Sequence, residues 1–191
     1  MTGGLVKALL DANTLYPAPL RDLLLQLCVA DIFRGRWTNE IHEEWINALI
    51  RNQPDRNRKK LERTRDLMNL ATRDCLVEGY EDLIKTLELP DSNDRHVLAA
   101  AITAKCDVIV THNIKDFPAK TLSEYGLLAQ LPDDFLSNQF SLEPGLFCNA
   151  VRKVRARLKN PMLSTKQYLN ILTKQGLINT VSLLRSYSQQ L

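Results

Sequence analysis

Residues 107–116 read Asp107-Val108-Ile109-Val110-Thr111-His112-Asn113-Ile114-Lys115-Asp116. Val-Ile-Val is the strongest strand signal in the chain, because β-branched apolar side chains pack well on a pleated surface. An acid opens the run, and a second acid follows after a polar turn. Just upstream, residues 97–104 form an alanine-rich segment with Asp91 or Ser92 placed to cap it as a helix. Helix, buried strand and polar loop together make the repeating unit of a parallel sheet.

The same unit recurs on the N-terminal side. Residues 5–10 predict a buried strand closed by Asp11, and Pro17 and Pro19 then suit the start of a helix with Leu20, Leu23, Leu24, Leu27 and Cys28 at helical spacing. Residues 33–37 predict a short strand. Thr38 can N-cap a helix whose apolar stripe is Ile41, Trp45, Ala48 and Leu49 and which ends before Pro54, and Asp55 can cap another with Leu61, Met68 and Ala71 inward. Cys75 and Val77 suggest a brief strand, and Tyr80, Leu83, Ile84 and Leu87 a helix closed by Pro90. A strand near residues 127–131 completes the series. Strands alternating with helices give an α/β fold with a central parallel sheet covered on both faces. In such a sheet ligands sit beyond the carboxyl ends of the strands, where strand order reverses. Asp11 and Asp116 both fall at strand ends.

From Pro132 the pattern turns all-helical, with Phe135 and Leu136, then Phe147, Val151, Val154 and Leu158, then Tyr168, Leu169 and Leu172, then Leu177, Val181 and Leu184 facing inward. Ser164 with Gln167 has the spacing of a capping box. Charge divides at the same region. Through Glu143 there are 17 basic and 22 acidic residues; from residue 144 there are eight basic residues and no acid. A basic tail on an acidic body suits a polyanion such as RNA, or docking against the body or a partner protein. A second basic cluster at 51–65 reads as a solvated helix face.

At 191 residues and 45% hydrophobic, the chain can bury one real core with a small appendage. No apolar run approaches the roughly 18 residues of a membrane span, so a cytoplasmic protein is expected. Cys28, Cys75, Cys106 and Cys148 stand singly among apolar neighbours and read as reduced packing residues.

Several chemistries lack parts. There is no G-x-x-x-x-G-K-[ST] loop, no G-x-G-x-x-G turn, no G-x-S-x-G elbow and no H-E-x-x-H pair. An Asp-based phosphatase would want an acid two positions after Asp11, and that place holds Asn13. What remains is a set of hard oxygen donors: Asp11, Glu44, Asp91, Asp94 and Asp116. Mg²⁺ and Mn²⁺ prefer such donors, and carboxylates converging without a cation would repel one another. Capping offers a competing account of each acid taken singly: Asp91 and Asp94 at a helix start, Asp116 in a turn, Asp11 in the loop before Pro17. His96 and His112 read as structural or exposed.

Taken together, Leu9-Leu10-Asp11-Ala12-Asn13, the acid of Glu43-Glu44-Trp45, Asp91-Ser92-Asn93-Asp94 with its alanine-rich helix, and Val108-Ile109-Val110-Thr111 through Asp116 resemble the PIN-domain ribonucleases, specifically the VapC-type toxins of bacterial toxin–antitoxin pairs. The resemblance implies a PIN-like three-layer α/β/α domain over residues 1–137 and a small all-helical extension over 138–191. It implies that Asp11, Glu44, Asp94 and Asp116 form a catalytic pocket for Mg²⁺ or Mn²⁺, with Asp91 an optional further ligand and Asn13, Thr111 and Asn113 in support. Glu44 is chosen over Glu43 because the family's acid directly precedes an apolar residue. Arg95 and Lys115 are candidate RNA contacts. The expected partners are an RNA substrate and a cognate antitoxin, with a homodimer in many relatives. A non-catalytic scaffold binding RNA or protein, and a phosphotransfer domain using Asp11 as nucleophile, are the alternatives.

Overall fold

The computed structural model describes residues 4–191. Four short strands, β1 (Lys7–Leu10), β2 (Arg34–Arg36), β3 (Val108–Val110) and β4 (Leu128–Gln130), form one all-parallel sheet in the order β2-β1-β3-β4. In register, Leu9 stands beside Arg36 on one side and Ile109 on the other. Ala8, Leu9, Leu10, Val108, Ile109 and Val110 are all buried. Successive strand residues point to opposite faces, so burial of every one means that both faces are covered.

The helices of the body are α1 (Ala12–Leu15), α2 (Ala18–Val29), α3 (Asn39–Asn52), α4 (Arg58–Ala71), α5 (Glu81–Ile84), α6 (Arg95–Thr103) and α7 (Ala119–Ser123). Thr38 N-caps α3 as expected, its hydroxyl accepting from the Ile41 amide at 3.0 Å. Three expectations change. Asp55 does not cap α4; the helix begins three residues later behind Asn57. The strand expected at Cys75–Val77 is a single parallel bridge, Trp37 to Leu76, prolonging the edge of β2 by one pair. The helix expected over 80–87 closes after one turn, Glu81–Ile84, with Leu83 and Ile84 partly buried against the core and Tyr80 and Leu87 buried on either side of it.

The C-terminal helices are α8 (Pro132–Leu142), α9 (Pro144–Arg157), α10 (Thr165–Lys174) and α11 (Ile178–Arg185). The capping box at Ser164 and Gln167 is formed. The boundary expected at residue 137 falls inside α8. One end of that helix joins the body, Phe135 packing edge-on to Phe33 with ring centroids 4.9 Å apart, while Phe140 further along packs on Phe147 and Tyr187 of the extension. α9 lies along α2, where the Arg157 guanidinium donates to the Gln26 side-chain oxygen at 2.7 Å. All four cysteines are free and buried. No helix among the described residues is long and apolar enough to cross a membrane.

Candidate active site

Strand order reverses between β1 and β3, which puts the switch point of the sheet at their carboxyl ends. Asp11 follows β1 directly, and Thr111 follows β3 directly. The two side chains meet there: the Thr111 hydroxyl donates to Asp11 Oδ2 at 2.6 Å. Asn13 Nδ2 donates to the same oxygen at 2.6 Å and to the Thr111 hydroxyl at 3.0 Å, and its own oxygen accepts from the His112 amide. The Asn113 amide in turn donates to the Thr111 hydroxyl at 3.0 Å. Asp11 also caps α1, with Oδ1 accepting from the Ala12 amide at 2.6 Å. Capping and site geometry coexist in this residue. Only 5% exposed, Asp11 has its carboxylate orientation fixed by residues that follow both central strands, Ala12 and Asn13 after β1 and Thr111 after β3.

An open cleft of about 790 Å³ lies over this point, lined by Asp11, Asn13, Glu44, Arg51, Asp94 and Asn113 among others. α3 supplies Glu44, Asn47, Ala48 and Arg51, spaced i, i+3, i+4 and i+7, which puts them on one helical face. Glu43 leaves that face and pairs with Arg58 and Arg65 of α4. Asp94 stands at the N-cap position of α6 yet makes no cap hydrogen bond. Its Oδ2 is buried with no hydrogen-bond partner. Asp91, by contrast, is an ordinary cap, its Oδ1 accepting from the Asn93 amide at 2.9 Å.

Electrostatics tie the acids together. Burial pushes the Asp94 carboxyl up to about 6, and the charges of Asp11, Asp91 and Asp116 add to the push. Asp11 is raised too, mainly by burial and further by Glu44, against the lowering effect of its bonds to Thr111 and Ala12. Asp116, in a 3₁₀ turn at Ile114–Asp116, and Asp91 act on Asp94 as charges without lining the cleft. Arg95 and Lys115 do not line it either; the cation that does is Arg51.

The sequence reads His96 as structural or exposed, and the ring is buried at 5% exposure between two acids of α3. Its Nε2 lies 3.0 Å from Glu44 Oε1 and its Nδ1 3.6 Å from Glu40 Oε2; the Tyr80 hydroxyl donates to Glu40 at 3.2 Å. Burial alone would lower the ring's pKa, but the hydrogen bond to Glu44 and the charges of Glu44, Glu40 and Asp11 outweigh it, and the net shift is upward. The i, i+4 spacing of Glu40 and Glu44 is the signal in the sequence, legible only if α6 is known to cross that face.

These residues fit a hard divalent cation in donor chemistry: oxygen donors, two carboxyls raised by burial and further by their mutual repulsion, and a buried carboxylate oxygen with nothing bonded to it. Among the described residues no three His, Cys, Asp or Glu side chains stand close enough together to form a ligand set as they are oriented here.

Comparison with known proteins agrees with the geometry. Residues 7–115 match the family model described as PIN domain, and residues 132–186 match the model described as VapC50 C-terminal domain. Over 64 residues the chain is 48% identical to the protein named Putative ribonuclease VapC50 of Mycobacterium tuberculosis (strain H37Rv), a stretch amounting to 34% of this chain. The match covers 37% of that relative's length. No solved structure matches the chain. The first model covers more than half of the sequence and ends within the loop that follows β3, so the chain belongs to the PIN-domain family; the segment behind it is similar to the VapC50 C-terminal domain.

Proposed function

We propose that this protein is a metal-dependent endoribonuclease acting as the toxin of a toxin–antitoxin pair. The observation that carries the reading is Asp94 Oδ2, a buried carboxylate oxygen without a partner in a cleft of mutually repelling acids. Uncompensated buried charge is costly, and a bound cation relieves it. A Mg²⁺ or Mn²⁺ ion held there would supply activation of water and neutralisation of charge on the phosphate. Asp11, Glu44 and Asp94 are the side chains that would hold it, with Asp116 contributing charge from the adjacent turn.

The chain's own part is positioning. Asn13 and Thr111 fix the Asp11 carboxylate, leaving it no free rotation toward solvent. His96 fixes Glu44. Arg51, on the face of α3 that lines the cleft, offers a planar fork suited to a phosphodiester oxygen. No protein nucleophile is needed, because water is the attacking group in metal-assisted phosphodiester hydrolysis. The name of the Mycobacterium tuberculosis relative supports RNA as substrate. A cytoplasmic location, a cognate antitoxin that blocks the cleft and self-association belong to the same reading.

The test is cleavage of total cellular RNA by purified protein freed of any antitoxin. Cleavage is expected with Mn²⁺ or Mg²⁺, lost with EDTA, and reduced at least about a hundredfold in Asp11→Asn. Undiminished cleavage by Asp11→Asn, or cleavage in EDTA, rejects the assignment.

A further inference from the structure

The extension carries eight cations, and the structure separates them by task. Arg155 is half-buried and donates to the carbonyls of Leu163 at 2.8 Å and Leu191 at 3.2 Å, tying the chain terminus to α9. Arg157 holds the extension to α2 through Gln26, and its charge lies near Asp22, whose carboxyl burial raises against the opposing charges of Arg21 and then Arg157. Both serve the fold. None of the eight forms an ion pair among the described residues.

Three of the others converge on one feature. The short 3₁₀ turn Ser188–Gln190, after α11, separates two grooves. One, of about 400 Å³, is lined by Lys166, Asn170, Arg185 and Ser188 with Thr165 and Leu169; the other, of about 380 Å³, is lined by Arg152, Asn149, Gln189 and Gln190 with Gly145 and Cys148. Ser188 belongs to the first and its neighbours to the second, so the two adjoin along the turn. Neither groove has an acidic residue in its lining. The nearest acids in sequence lie on or just after α8, and the carboxylate of Asp133 accepts from the Asn179 and Thr180 amides at the start of α11, the end away from Arg185.

We infer that this double groove is a second binding surface that takes the phosphodiester backbone of the RNA, outside the cleft. Backbone contacts in protein–nucleic acid complexes come from Arg and Lys with Ser, Thr, Asn and Gln, and that is the lining here. Stable protein–protein docking calls for aromatic or aliphatic anchors at the centre of the patch. These grooves offer no aromatic side chain, and Leu169, their one large apolar residue, is itself only 4% exposed. The identity of the polyanion rests on the ribonuclease reading; the surface itself does not.

The test is binding of a labelled single-stranded RNA of about 20 nucleotides, followed by fluorescence anisotropy in EDTA, where no cleavage is expected. Arg152→Gln, Lys166→Gln and Arg185→Gln combined are expected to weaken binding on the order of tenfold to a hundredfold at 0.1 M salt and to flatten the dependence of log K on log salt by about 2, near 0.7 for each phosphate that the variant no longer neutralises. All three side chains are exposed, so an unchanged circular dichroism melt checks the fold, and the charge-retaining Arg152→Lys with Arg185→Lys should keep most of the affinity. Affinity and salt slope unchanged in the triple variant overturn the inference. So does displacement of the RNA by an equally charged polyglutamate, which assigns the surface to an acidic protein. Cleavage of a short oligonucleotide separates the two readings. Loss of long-RNA binding in a protein that never cleaves leaves this surface standing and rejects the nuclease; normal cleavage with unaltered binding does the reverse.

Discussion

An aspartate at a helix N-cap ordinarily accepts from the first-turn amides and so stays ionised at low pH. Asp94 holds that position without those bonds, and its carboxyl is pushed up to about 6. The linkage has a definite sign. With the folded pKa above the ordinary value of 3.8, the contribution of Asp94 to stability is fully present below pH 3.8 and is lost as pH rises through about 6. In metal-free protein, the difference in urea midpoint between wild type and Asp94→Asn should therefore grow in favour of the variant between pH 4 and 7. Saturating Mg²⁺ should shrink that difference at pH 7 by stabilising wild type. Equal pH profiles for the two proteins, each measured in EDTA, would remove Asp94 from the strained set. The sequence already shows Asp11 and Asp94 as acids at element ends and the Glu43-Glu44 pair within a helix. It does not show that Glu43 turns to α4, or that His96 is buried against Glu44, because both depend on which helix crosses α3.

α3 and α4 are held together by a polar network. Asn69 Oδ1 accepts from Trp37 Nε1 at 2.8 Å and from His42 Nε2 at 3.0 Å, while His42 Nδ1 accepts from Trp45 Nε1 at 3.0 Å. Accepting at Nδ1 requires the proton on Nε2, so the ring is the neutral Nε2–H tautomer, and its burial lowers the pKa in agreement. Asn69→Leu would leave two donors without an acceptor. A loss of about 2 kcal/mol is expected from urea unfolding, and Asn69→Asp should recover part of it. Cleavage by folded Asn69→Leu at low temperature should be near wild type, since none of the acids of the cleft belongs to the network. Caps and stripes make the long elements readable: Thr38, the leucines of α2, and Ser164 with Gln167 all sit where periodicity and capping chemistry put them. Residues 75–77 and 80–87 are harder, because a one-pair bridge and a single helical turn are set by their neighbours.

At the scale of the molecule, body and extension share a core. α2 buries Leu20, Leu23, Leu24 and Leu27, and α9 lies along it with Val151 and Val154 fully or almost fully buried. Phe135 of α8 joins that core through Phe33. Truncation after Leu142 should therefore cost far more than the removed helices' own packing, exposing the outer face of α2 and leaving Gln26 without Arg157. The expected result is a protein that binds a hydrophobic dye and melts at least about 10 °C lower; a truncated chain with unchanged melting and cleavage would make the extension an independent module. Composition marks the change of character near residue 144, where acids stop. It cannot mark the packing boundary, because α8 is apolar toward both sides.

The bond between Thr111 and Asp11 joins side chains 100 residues apart. Closing so long a loop between parallel strands is among the slower events in folding. A chain with β1 made and β3 not has the aspartate, Ala12 and Asn13 but lacks the Thr111 hydroxyl that completes its aim. The full geometry of the cleft thus arrives late and all at once, when the central strands pair.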